Sequence, residues 1–94
     1  RLLQELIEAR NTREFRYAYD EEGEIRREDE YLNGTILRRT RYEENDRRVE
    51  IQFRQGEPFL RSYFDDDRRV REEVLRNGRI VEVRRFERGE SDEE

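Results

Sequence analysis

The 94-residue chain has no cysteine, histidine, lysine, methionine or tryptophan, and its one proline is Pro58. Without cysteine there is no disulfide framework and no thiolate nucleophile. Without histidine neither a Ser-His nor a Cys-His pair can be assembled, and the commonest general base is missing. The sequence therefore leads us to expect no enzymatic activity and no cofactor. Apolar residues are scarce too, 31% of the chain against 50% charged. No apolar run approaches the length needed to span a bilayer, and no signal-peptide pattern precedes Arg1. These absences lead us to expect a soluble protein with no membrane association, in a compartment the sequence does not name. The formal net charge of −5, with arginines interleaved among acids, also opposes general attraction to nucleic acid.

What is present is equally unusual. Every one of the 21 basic residues is arginine. Halophilic or GC-rich bias would also bring alanine, yet the chain has two alanines and 19 Glu against 7 Asp. The composition points first to a designed or engineered scaffold without native activity, and second to a natural fragment of biased composition. So polar a chain would ordinarily be read as disordered, but ten aromatic residues and a regular beat of turn signals argue for a folded sheet.

That beat falls at Gly23, Gly34, Asn45, Gly56, Asp67, Gly78 and Gly89, each a residue type that tolerates positive φ, at intervals of eleven. Between the turns the hydrophobic period is two. Strands are predicted at about 13–20, 24–32, 35–42, 47–54, 57–65, 68–76 and 79–87. Before them, Leu2, Leu3, Leu6 and Ile7 fall on one side of a helix. The expectation is a single domain over 1–94, mainly β with one N-terminal helix. Residues 1–12 form the helix, 13–87 a seven-stranded antiparallel up-and-down meander, curved or partly closed, and 88–94 an acidic tail.

Register can be tried from the Asn33-Gly34 turn. It sets Tyr31 against Ile36, Asp29 against Arg38, Arg27 against Thr40 and Ile25 against Tyr42. Carried outward, it gathers most apolar residues, from Phe15 to Val83, on one inner face. Within that face Tyr17, Arg27, Asp29 and Arg38 form a polar island able to hold an anion or carboxylate through arginine forks. The same groups also make ordinary cross-strand pairs. The acidic run Asp65-Asp66-Asp67 lacks the spacing of a calcium loop and reads as a solvated turn. Tyr17, Tyr31, Tyr42 and Phe53 resemble a base-stacking platform, a reading the acidic balance opposes.

The run Tyr19-Asp20-Glu21-Glu22-Gly23-Glu24-Ile25, then Tyr31-Leu32-Asn33-Gly34-Thr35-Ile36, then Tyr42-Glu43-Glu44-Asn45, resembles the MORN-variant repeat of bacterial antitoxin-like proteins. In that family an aromatic residue, an acidic Gly turn and an aromatic Asn-Gly turn recur about every 22 residues. The resemblance covers residues 17–86, and it implies a repetitive sheet and protein partners. Arg16 to Ile25 is similar to one YD repeat of bacterial shell-forming toxins. Asn45-Asp46 and Asp67-Arg68 stand where the repeat has glycine. Neither resemblance brings a catalytic residue. The alternative function is thus an interaction module, meeting a protein partner or a second copy through a sheet edge.

Overall fold

A computed structural model describes residues 12–86. Seven strands follow one another: β1 (Arg13–Tyr19), β2 (Ile25–Leu32), β3 (Thr35–Glu43), β4 (Arg47–Arg54), β5 (Glu57–Asp65), β6 (Arg68–Arg76) and β7 (Arg79–Arg85). They make one sheet in sequence order, every neighbouring pair antiparallel.

Turn chemistry places the strands. Asn33-Gly34, Gln55-Gly56, Asp66-Asp67 and Asn77-Gly78 each have both residues at positive φ, from 53° to 82°. That is the two-residue hairpin turn whose twist matches the flanking strands. Aspartate serves in the second position at Asp67 because its short polar side chain tolerates the left-handed region. Asp20 organises the first turn: its Oδ1 accepts the N–H groups of Glu22 and Glu24, both at 2.9 Å, and Gly23 follows at φ 86°.

Five of the six hairpins carry one extra residue: Arg26, Leu37, Phe59, Val70 and Val81 stand without a partner across their own hairpin. They obey the same interval of eleven. The position missing from that series is Arg48, where β3 and β4 pair without a shift and the extra residue sits in a longer loop, Glu44–Asp46. One added residue per hairpin sends equivalent positions to opposite faces, so the pattern returns to one face only after two hairpins. Tyr31, Phe53 and Leu75 accordingly share one face, and Tyr42, Phe64 and Phe86 the other.

Three expectations are corrected. The fold class, mainly β with one N-terminal helix, becomes all-β: no helix occurs among the described residues. The segment assigned to that helix lies outside the described residues except for Thr12, which is irregular, and the acidic tail 88–94 lies outside them as well. The curved or partly closed meander becomes an open sheet, because β1 and β7 do not pair. Seven alternating strands leave β1 and β7 running in the same direction, so an all-antiparallel barrel has no closing pair. The single inner face is replaced by two mixed faces, since the bulges divide the apolar residues between them.

Burial reflects this. Val49 and Leu75 are the buried apolar residues, whereas Asp29, Glu30, Thr40, Ser62, Glu72 and Glu73 are buried polar ones. Among the described residues no helix is long and apolar enough to cross a membrane.

Candidate interaction surface

Facing residues of an antiparallel pair share a face, so two rows can be followed across all seven strands. Tyr17, Glu28, Thr40, Glu50, Ser62, Glu72 and Arg84 run along one side. Arg16, Asp29, Arg39, Ile51, Arg61, Glu73 and Val83 run along the other. These define the Tyr17 face and the Tyr31 face.

Each buried acid holds two arginines. On the Tyr31 face Asp29 accepts a fork from Arg39, at 2.9 and 3.1 Å, with Arg27 at 3.5 Å. Glu73 accepts Arg61 Nε at 2.8 Å, Arg71 Nη2 at 2.6 Å and the Tyr63 hydroxyl at 3.2 Å. On the Tyr17 face Glu72 lies between Arg69 and Arg84, and Glu30 between Arg38 and Arg13. The Asp29 carboxylate holds the Arg39 guanidinium above its usual range, against burial. Burial pushes the Tyr63 phenol up, and Glu73 adds to that against Arg61. Burial also raises Tyr42, whose hydroxyl donates to Glu28 Oε1 at 3.2 Å.

The guanidinium planes have a second use. Arg16 lies over Tyr31 at 4.4 Å, Arg48 over Phe64 at 4.1 Å, Arg54 over Phe59 at 4.2 Å and Arg69 over Phe86 at 4.9 Å.

The polar island separates. Arg27 and Asp29 stay together on the Tyr31 face. Tyr17 stands on the opposite face against Glu28, and Arg38 is bound to Glu30 there at 2.9 Å. The bulge at Leu37 moves the register by one, so Arg39, not Arg38, meets Asp29. Reading the sequence also missed the Glu73 cluster. The available signal was the recurring apolar doublet, Ile36-Leu37, Pro58-Phe59 and Ile80-Val81, which breaks the period of two at the bulges.

A groove of about 470 Å³ runs between the turns at one end of the sheet. Tyr42, Arg26 and Arg48 line it beside Glu24, Asp46 and Asp66. No cluster of three or more metal-ligating residues occurs among the described residues.

Most of the exposed large apolar side chains among the described residues lie at the edges of the sheet, Tyr42 on β3 being exposed as well. Phe15, Tyr17, Tyr19 and Ile25 are 40–59% exposed on the Tyr17 face, and the Tyr17 and Tyr19 rings lie 6.5 Å apart. At the other edge Ile80, Val81, Val83 and Phe86 are exposed. The backbone is open there as well. Thr12 O accepts from Asn33 N, which makes Thr12 and Asn33 a hydrogen-bonded pair. By alternation the N–H and C=O of Arg13, Phe15 and Tyr17 point away from β2.

Comparison with protein-family models and with curated proteins finds no match.

Proposed function

We propose that this protein is a non-enzymatic interaction module that takes an extended polypeptide onto its β1 edge by strand addition. One observation carries the reading: three aromatic side chains, Phe15, Tyr17 and Tyr19, stand in a row on an edge strand whose outward backbone groups meet no partner strand among the described residues. Natural sheets commonly guard such edges with charge, a bulge or proline. Here the row ends at an acidic turn, Asp20-Glu21-Glu22-Gly23-Glu24. The fitting occupant is therefore an extended segment with apolar residues at alternate positions, over the rings, and basic residues at the end that meets the turn. The MORN-variant resemblance supports a protein partner as well.

A displayed library of extended peptides tests this. Enrichment should favour apolar residues at alternate positions with Lys or Arg at the end that meets the turn, and Tyr17→Ser combined with Tyr19→Ser should weaken the selected peptides at least roughly tenfold. Failure to enrich, or enrichment indifferent to that double variant, would overturn the proposal. The second reading is an inert engineered scaffold, favoured by the arginine-only composition. It expects no enrichment.

A further inference from the structure

The opposite edge carries a pattern complementary to itself. Phe86 N donates to Val70 O at 3.0 Å, which makes Val70 and Phe86 a hydrogen-bonded pair. By alternation Arg84 with Glu72 and Glu82 with Val74 are also hydrogen-bonded pairs, so the N–H and C=O of Val83 and Arg85 point away from β6. All seven residues of β7 are exposed.

A second copy turned by a two-fold axis normal to the sheet can meet this edge antiparallel. With Val83 opposite Val83 of the second copy, the outward groups of both exchange hydrogen bonds, and Arg85 comes to lie opposite Val81 of the second copy. Glu82 then faces Arg84 of the second copy, twice, in the non-hydrogen-bonded positions where side chains come closest. Ile80 meets Phe86. A register centred on Glu82 instead sets glutamate directly against glutamate. Within one chain Arg84 Nε already binds Glu82 Oε2 at 2.8 Å, so the same two groups can exchange partners across the axis.

We infer that two copies of this chain associate through β7, in antiparallel register about Val83, to make a continuous fourteen-stranded sheet. This leaves β1 free, so it stands or falls independently of peptide binding at that edge.

Sedimentation velocity of the full chain over a concentration series, with circular dichroism to verify folding, tests the inference. Val83→Pro removes an outward N–H and no ladder bond within the chain, and it should abolish the dimer. Tyr17→Pro is the matching change on β1 and should leave the dimer intact. Among the described residues the Glu82 side chain meets Arg84 alone and is half exposed, so Glu82→Arg should preserve the fold. It should weaken association roughly tenfold by placing like charges opposite each other twice. If Val83→Pro unfolds, Glu82→Arg decides the question. A chain monomeric up to about 1 mM, a dimer untouched by Glu82→Arg, or one lost in folded Tyr17→Pro overturns the inference.

Discussion

Arg48 shows why the basic residues of this chain are arginines. Its guanidinium binds Glu50 at 3.3 Å and Asp67 at 2.6 Å while its plane covers Phe64 at 4.1 Å. An ammonium is a compact point charge: its three donors can reach carboxylates, but it has no plane to lay on a ring and no rigid fork to match them. Arg69 and Arg16 repeat the device with Glu72 and Phe86, and with Glu14 and Tyr31. In a sheet with two buried apolar side chains, half of the rings lie under a guanidinium. The arginine-only alphabet, which in the sequence spoke only of origin, thus has a physical account in the fold. Arg48→Lys should cost about 1 kcal/mol in urea denaturation, the scale of a cation–π contact plus one exposed ion pair. A loss indistinguishable from that of lysine at exposed Arg79 would show that charge alone matters.

Among the elements, the hairpin connections were the most legible in the sequence, because Asn-Gly and Asp-rich turns state their backbone requirement in residue type. Strand limits followed to within a residue or two. The bulges were not legible by that route: a strand containing Ile36-Leu37 or Ile80-Val81 looks continuous, and one unpaired residue reverses every face assignment beyond it. For this reason Tyr31 facing Ile36, next to the turn, was read correctly, while Asp29 facing Arg38, beyond Leu37, was not. The first connection also carries a pH dependence. The Glu24 N–H bound to Asp20 holds that carboxyl below its ordinary value, with help from Arg26 and the Glu22 N–H against desolvation. A depressed carboxylate contributes stability that is fully present above its unfolded pKa and is lost as pH falls through the folded one. Asp20→Asn should therefore flatten the acid limb of the urea midpoint below about pH 4. An acid limb with unchanged slope in the variant would exclude Asp20 as a contributor.

At the scale of the whole molecule, the sheet is a one-dimensional object. Each strand pairs only with its neighbours in sequence, and no second layer is packed on either face among the described residues. Stability in such an array is close to a sum of strand-to-strand terms, and cooperativity falls toward the ends. Burial has the same profile: among the described residues all eight buried ones lie on β2 to β6, and β1 and β7 have none. The central strands are secured on both faces by acids shared between two arginines, whereas the edges keep their apolar side chains and outward backbone groups in water. This division makes the middle a support and the edges the surfaces available for recognition. Amide hydrogen exchange on dilute protein should thus rise from β4 and β5 toward both edges, with β7 amides exchanging at least about tenfold faster than those of β5. Raising the concentration should slow Val83 and Arg85 selectively, since their N–H groups are the ones β7 directs outward. Uniform protection across the seven strands at low concentration would instead mean that the sheet unfolds as one unit, and that its edges are as firmly held as its centre.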